Sequence, residues 1–364
     1  MQVHPNQLVP GCILLKPVQG KSTHPIMPNH TIIEEKHIEV LLHFGIEKIE
    51  VSEHLASGTP FQPKEMGKKV DKETLTSQEM TENFETMYTH VVAEFKKIFL
   101  KWQSGAQVNI FELRKLMEPI YKSTDTMQLD LFLLHKYASK EDYFYHHCIA
   151  VSLISAYLAK KIGYTKEWIQ IGLAGLLADS GMSKLDQSIM QKENSLSIRE
   201  YDEIKKHPTY SYRMVEHTSG LTKEVKLSIL QHHERLDGSG YPLGVKEDKI
   251  HPFAKIIAIS DTYHAMTSER YYREKQSPFK VIEQMLILAY TKFDYVYLQT
   301  FAQTLLNYAI GTKVLLSNGQ EAVIVYAKTE TPIRPIIRII ETDEIIALKD
   351  KPTLFIENII ESKK

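Results

Sequence analysis

Cysteine is scarce in this chain of 364 residues, where only Cys12 and Cys148 occur. So few thiols argue against a disulfide scaffold and against a metal site built from several thiolates. Their scarcity is typical of proteins that fold in a reducing compartment.

An excess of either charge is also missing. Lys and Arg together number 44 and Asp and Glu together 45, which gives a formal net charge of -1. No basic surplus is present to neutralise a phosphate backbone, so we expect no nucleic-acid partner. The first residues lack the basic-then-apolar pattern of a signal peptide, and no apolar run approaches the roughly 20 residues that cross a bilayer. These absences predict a cytoplasmic protein with no membrane span.

Histidine, in contrast, occurs 16 times, and the densest chemistry lies at residues 229–243. This stretch is Ile-Leu-Gln-His-His-Glu-Arg-Leu-Asp-Gly-Ser-Gly-Tyr-Pro-Leu. Adjacent imidazoles at a helix end can reach one metal cluster if the chain then turns sharply, and Asp237 with the glycines after it supplies such a turn. The alternative is a solvated helix end with two surface histidines, which the pair alone does not exclude.

The order of patterns along the chain predicts a mainly α protein. Residues 1–60 predict a small α+β module, 61–139 a linker and helical stalk, 140–309 a helical domain, and 310–364 a small β appendage. Within the stalk, helices are expected from Ser77, over 110–122 and over 127–137. The stalk is a candidate for homodimer formation through residues 76–139, or it is simply part of the helical core.

Several boundaries follow from local signals. The apolar run Trp168–Leu177 predicts a buried central helix. Ser197 with Glu200 is a capping-box pattern that we expect to open the helix carrying His207. The apolar stretch 254–260 predicts a helix that places Asp261 at its polar end, and an Asn-Gly pair at 318–319 predicts a β-hairpin.

Polar residues interrupt these apolar helices at six places. They are His147, Asp179, His207, His232, His233 and Asp261. A single histidine on an apolar helix is more often a core residue than a ligand, but six such interruptions are hard to explain by packing. An ionised Asp179 after so apolar a run would be costly to bury without a cation or donors beside it. A mixed set of imidazoles and carboxylates suits iron, manganese or zinc.

These motifs resemble the HD-GYP family, the metal-dependent phosphodiesterases of bacteria that cleave cyclic di-GMP. The resemblance covers about residues 140–275 and is most specific in the string His-His-Glu-Arg-Leu-Asp-Gly-Ser-Gly-Tyr-Pro at 232–242. Further matches lie at 143–147, at 175–181, at Glu200 with His207, and at 261–270. The resemblance implies an all-helical HD-GYP domain flanked by the N-terminal module and the β appendage.

The resemblance also implies roles for individual residues. The six interrupting residues fall on the family's metal ligands, with Asp179 as the bridge between two divalent ions, iron or manganese in preference to zinc. Arg270 and Arg273 match positions that hold substrate phosphate, and Tyr241 is the tyrosine of the family name. Asp237 is expected to support the loop.

Four positions depart from the family pattern. Ala178 replaces the histidine of the His-Asp pair, and Met182 replaces a phosphate-binding lysine. Tyr143 stands where members with a third metal have a glutamate, so a third ion is not expected. His264 replaces an aspartate, and because it lies three residues after Asp261 on a helix it is a candidate further ligand.

Two functions of different classes follow. The first is a cyclic di-GMP phosphodiesterase in second-messenger signalling, with an incomplete two-metal site and a cyclic dinucleotide as its ligand, which yields pGpG, GMP or both. The second is a catalytically degenerate relative that binds metal, with or without nucleotide, and acts as a sensor or interaction module. Hydrolysis of another nucleotide also stays open, because the sequence does not define the base pocket.

Overall fold

The computed structural model describes residues 1–19, 25–34, 37, 38, 41, 46, 48–63, 77–124, 131–190, 192, 194–269, 275–304, 311–326 and 333–360. By their internal contacts the residues form two compact units, Met1–Leu75 and Thr76–Lys364. The finer division at 60, 139 and 309 stays a prediction.

The N-terminal unit contains two small antiparallel sheets. In one, β1 (Gln2–Val3) pairs with β4 (Ile49–Glu50), and in the other β2 (Val18–Gln19) pairs with β3 (Pro25–Met27). Apolar side chains such as Leu14 form the core of this unit. The helix predicted over residues 34–44 lies mostly outside the described residues.

Helices dominate the second unit, so the mainly α class is confirmed. They are α1 (Ser77–Gln103), α2 (Ile110–Ser123), α3 (Tyr143–Ile162), α4 (Trp168–Leu177), α5 (Gln187–Met190), α6 (Ile198–Ile204), α7 (His207–Val215), α8 (Lys223–Gln231), α9 (Pro252–Thr267), α10 (Pro278–Ile287) and α11 (Tyr295–Thr304). Within the described part of the chain, no helix combines the length and hydropathy that a membrane span requires.

The central pair of helices is α3 and α4, which are buried along most of their length. Gly172 and Gly175 on α4 allow α3 and α4 to approach closely. A Cβ added to Gly172 would lie 2.6 Å from the Tyr121 hydroxyl and 2.9 Å from Ala156 Cβ. Since α4 ends beside the core, Asp179, two residues after its last residue, is carried into the interior.

The helices predicted as a stalk pack on this same core. Phe99 of α1 contacts Phe144 of α3 with ring centroids 4.8 Å apart, and Tyr121 of α2 donates or accepts a 2.7 Å hydrogen bond with Ser152 of α3. In the described residues this favours the interpretation of α1 and α2 as part of the helical core. Dimer formation through residues 76–139 stays a prediction.

Three predicted boundaries were wrong or fall partly outside the described residues. The capping box of Ser197 and Glu200 opens α6, but α6 ends at Ile204 and His207 begins α7. Pro208 explains the break, because inside one continuous helix it would lack a donor and clash with the carbonyl of Ile204. Asp261 lies within α9 and not at its end. Of the helix predicted over 127–137, residues 134–136 form a 3₁₀ turn and 125–130 are not described.

The C-terminal residues form a five-stranded antiparallel sheet of order β8-β7-β6-β5-β9. Its strands are β5 (Lys313–Leu316), β6 (Glu321–Tyr326), β7 (Ile336–Ile339), β8 (Ile345–Ala347) and β9 (Ile356–Ile359). The predicted hairpin is present, and Gly319 takes the positive φ of 83° that its turn requires. Arg334 joins the sheet to the helices by a bidentate bond to Glu283 on α10.

Candidate metal centre

Helix ends bring the predicted ligands together in the interior of the second unit. Asp179 follows α4, His207 begins α7, and His232 and His233 follow α8. The remaining two residues, His147 and Asp261, lie within α3 and α9. Five separate elements therefore deliver side chains that are scattered over 115 positions of the sequence.

Asp179 occupies the middle of this cluster. One oxygen, Oδ1, lies 3.0 Å from His207 Nε2 and 3.6 Å from His232 Nε2. The other oxygen, Oδ2, lies 3.4 Å from His147 Nε2. A single carboxylate thus faces histidines on both of its sides.

Asp261 completes the second side of the cluster. Its Oδ1 lies 3.0 Å from His147 Nε2, and its Oδ2 lies 3.7 Å from His233 Nδ1. Among the described residues, the donor atoms form two groups, each with all its atoms within 4.8 Å of one another. The first group is Asp179, His207, His232 and His233, and the second is His147, Asp179 and Asp261.

Backbone carbonyls fix the tautomers of two histidines. His207 Nδ1 lies 2.6 Å from the carbonyl oxygen of Ile204, and His232 Nδ1 lies 2.7 Å from that of Ile229. Because a carbonyl only accepts, each Nδ1 carries the proton and each Nε2 of the neutral ring has a lone pair.

This arrangement fits a metal ion. The two Nε2 atoms lie 3.2 Å from each other and both face the Asp179 carboxylate. In the neutral rings three electron-rich groups therefore converge without a proton to share, and a divalent cation removes that conflict. Imidazole nitrogens with carboxylate oxygens are a donor set that first-row transition metals accept.

Burial disfavours the charged forms of these residues. For the two aspartates, contacts with the neighbouring histidines outweigh this effect and lower the pKa. Burial alone would raise the pKa of Asp179, but its close contacts with His147, His207 and His232 hold it well below its ordinary range. The pKa of Asp261 is lowered in the same way by His147 and His233. Burial and the neighbouring His232 hold the pKa of His233 well below its usual value, so His233 is neutral and able to donate its lone pair.

A short 3₁₀ helix, Ser180–Lys184, is clamped to α7 beside the cluster. Ser211 Oγ accepts the Gly181 N–H at 2.7 Å and donates to the Ala178 carbonyl at 2.7 Å. A Cβ on Gly181 would lie 2.2 Å from the His207 carbonyl oxygen. This contact fixes the distance between the segment that carries Asp179 and the helix that carries His207.

The loop after His233 folds back over the cluster. Tyr241 stacks on the His233 ring with centroids 4.6 Å apart. The buried Glu234 carboxylate accepts hydrogen bonds from the N–H groups of Leu243, Gly244 and Val245. Within the loop, Asp237 accepts a 2.7 Å bond from Lys292 and a 3.0 Å bond from the Ser239 N–H. The role of Asp237 in supporting the loop stays a prediction.

His264 lies behind His147 and not among the grouped donor atoms. His264 Nδ1 is 3.1 Å from His147 Nδ1, the ring nitrogen that faces away from Asp179 and Asp261. The Tyr143 hydroxyl lies 3.2 Å from the same His147 Nδ1. In this arrangement both residues orient His147. His264 is not among the donor atoms that lie within 4.8 Å of one another, and its candidate role as a further ligand stays a prediction.

Several other predicted positions complete the comparison. Arg270 and Arg273 lie outside the described residues. Ala178 is buried, and Met182 packs against the apolar core. No role was predicted for Glu234 or Arg235, although both belong to the motif string. Arg235 donates to the carbonyls of His232 and Glu234, a backbone contact that no residue pattern indicates.

Comparison with known proteins identifies the helical part of the chain. Residues 125–295 match the model of the HD domain. The match confirms, for this part of the chain, the resemblance inferred from the motifs.

Its relatives include named phosphodiesterases. A cyclic di-GMP phosphodiesterase of Pseudomonas aeruginosa is 26% identical over 243 residues, which are 66% of this chain and 58% of the relative. One from Thermotoga maritima is 28% identical over 48% of this chain and 50% of the relative. A 3'3'-cGAMP-specific phosphodiesterase of Vibrio cholerae is 31% identical over 44% of this chain and 37% of the relative. The chain thus spans between about a third and three fifths of the length of these proteins.

Proposed function

We propose that this protein is a metal-dependent phosphodiesterase that hydrolyses cyclic di-GMP in second-messenger signalling. The observation that carries the proposal is the position of Asp179, whose two oxygens face two separate groups of histidines. A carboxylate so placed is suited to bridge two ions. The relatives named as cyclic di-GMP phosphodiesterases supply the substrate class.

We assign one ion to each donor group. Asp179, His207, His232 and His233 would hold the first, and His147, Asp179 and Asp261 the second. The mixed donors suit iron, manganese or zinc, and the resemblance to the family favours iron or manganese. Two such ions, when bound, lower the pKa of a water molecule and neutralise the oxygens of a phosphodiester.

The residues of the chain contribute order and shielding. The carbonyls of Ile204 and Ile229 hold two imidazoles with their lone pairs towards Asp179. Tyr241 covers one face of His233, which excludes solvent from that side. We further assign substrate contacts to Tyr241, Arg270 and Arg273, of which the arginines would hold the phosphate by charge-assisted hydrogen bonds.

The departures at Ala178 and Met182 favour the second candidate function, a degenerate relative that binds metal and acts as a sensor or interaction module. Loss of the ligand at position 178 leaves the second ion with three protein groups against four for the first. The complete first group and the ordered loop nevertheless support hydrolysis over loss of activity.

The test is incubation of the metal-loaded full chain with cyclic di-GMP, followed by chromatographic separation of the products. We expect linear pGpG, GMP or both, and a fall of at least about a hundredfold in rate for Asp179→Asn. Asp186→Asn, which alters an exposed carboxylate elsewhere, is the matched control and should leave the rate unchanged. Absence of product from the metal-loaded protein would favour the degenerate alternative, and product from 3'3'-cGAMP alone would assign another cyclic dinucleotide.

A further inference from the structure

A second concave site lies on the helical unit, apart from the His/Asp cluster. It is a pocket of about 1000 Å³ formed by the connection between α1 and α2, the end of the Ser180–Lys184 segment and the end of α7. Its volume is at the upper end of the roughly 300–1,000 Å³ of small-molecule sites. None of the residues assigned to the metal centre lines it.

Basic side chains line the pocket and acidic ones do not. Arg114, Lys184, Arg213 and His217 all contribute to its wall, whereas no Asp or Glu is among the lining residues. Among the residues that the structure describes, no carboxylate forms an ion pair with Arg114, Lys184 or Arg213. His217 lies 3.9 Å from Glu216, so in the described residues the positive charge without a carboxylate partner is that of Arg114, Lys184 and Arg213.

Backbone carbonyls hold two of these cations in place. Arg114 donates to the Gly220 carbonyl at 3.0 Å, and Lys184 donates to the Trp102 carbonyl at 2.9 Å. Each contact uses one of several donors, since a guanidinium has five N–H groups and an ammonium three. The remaining donors are available to a ligand that brings negative charge.

An aromatic side chain lies at the same pocket. Phe111 is 76% exposed, which is unusual for a phenylalanine and leaves its ring available for stacking. Cationic groups beside an exposed aromatic ring suit a ligand with a phosphate and a planar base.

We propose that this pocket binds a small phosphate-bearing anion of the nucleotide class, with the phosphate at Arg114, Lys184 and Arg213 and the base on Phe111. The site goes beyond the proposed hydrolysis and does not depend on it. Its location suggests a regulatory role. Lys184 ends the 3₁₀ segment that begins next to Asp179, and Arg213 lies near the end of the helix that begins at His207.

The test is isothermal titration calorimetry of the metal-loaded full chain at low ionic strength, with inorganic phosphate and AMP as probes. We expect saturable binding of both, and a dissociation constant raised at least about tenfold for Lys184→Gln/Arg213→Gln, because two charge-assisted contacts are lost. Arg199→Gln removes an exposed arginine outside the pocket and should leave binding unchanged. Phe111→Ser should weaken AMP and leave phosphate unaffected.

A variant of the metal centre separates the two sites. In His232→Ala/His233→Ala the pocket residues are intact, so this binding event should persist. Absence of saturable binding in the unmodified chain would overturn the proposal. So would binding that survives the Lys184/Arg213 double substitution but disappears with the two histidines, since the anion would then occupy only the metal centre.

Discussion

Single side chains set the direction of the donor atoms in the metal centre. The histidines at 207 and 232 are oriented by carbonyls three residues earlier, and His147 is oriented by His264 and Tyr143. Residues that orient a ligand affect metal affinity, and their loss typically costs about 10–100-fold. His264 therefore has a testable role even though it lies behind the cluster.

For His264→Ala we expect weaker metal binding at the His147 group. Loss of an orienting partner typically costs about 10–100-fold in affinity. Competition with a chelator, monitored by elemental analysis, measures this. His146→Ala removes a neighbouring buried histidine whose ring packs on Tyr88, and serves as the control for lost packing. Equal metal affinity in the two variants would contradict the orienting role.

For Glu234→Gln we expect a loss of about 1.5–3 kcal/mol in the free energy of unfolding. The buried carboxylate accepts three backbone N–H groups, and an amide offers only one acceptor oxygen with no charge. Urea denaturation measures the change. Glu247→Gln alters an exposed glutamate and should cost less than about 0.5 kcal/mol. If the free energy of unfolding fell equally in the two variants, the hydrogen bonds of Glu234 would not be what stabilises the loop.

Residue identity was the most predictable part of the site. All six interrupting residues are brought into one cluster, because a charged or imidazole side chain within an apolar helix is visible in the sequence. Their hydrogen-bond partners were not visible, since the carbonyls of Ile204 and Ile229 belong to the backbone. The contact of His264 with His147 Nδ1 was not visible in the sequence either, because helical spacing shows which face a residue shares and not which nitrogen it meets.

At the scale of helices and turns, the candidate ligands are held in position because the backbones of their elements lie in close contact. The 3₁₀ segment after α4 and the start of α7 touch at Gly181, where a side chain has no room. The sequence predicted α4 and the capping box of α6 well, because apolar continuity and caps are local signals. It missed the break between α6 and α7, although Pro208 gave the signal for it.

Gly181→Ala should disturb both stability and metal binding. The added Cβ would lie 2.2 Å from the His207 carbonyl oxygen and 2.4 Å from the Ser211 backbone nitrogen. Such overpacking lowers the free energy of unfolding by about 1–3 kcal/mol. Gly175→Ala is the control with a milder overlap, since a Cβ added there would lie 3.0 Å from the Val151 carbonyl oxygen. Thermal unfolding with and without metal compares them. A smaller loss for Gly181→Ala than for Gly175→Ala would show that the two segments can separate freely.

At the scale of the whole molecule, polar contacts among the described residues attach the C-terminal sheet to the helices of the same unit. Arg334 binds Glu283 on α10 and also donates to the Leu354 carbonyl at 2.6 Å, while Ser277 donates to the Ile356 carbonyl at 2.6 Å. The hairpin was predictable from its Asn-Gly turn. The attachment was not, because it joins residues about 50 to 80 positions apart.

Arg334→Met should lower the free energy of unfolding by about 2–3 kcal/mol, because Glu283 and the carbonyls would lose a charged donor. Arg338→Met is the matched control in the same sheet. Its ion pair with Asp343 is exposed, so its loss should cost at most about 1 kcal/mol. Urea denaturation separates the two, and equal effects would contradict the attachment through Arg334.

The central claim is that the cluster around Asp179 holds two metal ions, and elemental analysis after anaerobic purification tests it most directly. We predict about two first-row transition-metal ions per chain, with His232→Ala/His233→Ala reduced to about one and melting at a lower temperature, because metal binding adds to folding stability. Fewer than about half an ion per chain in the unmodified protein, or a double variant with unchanged metal content and melting temperature, would contradict the account.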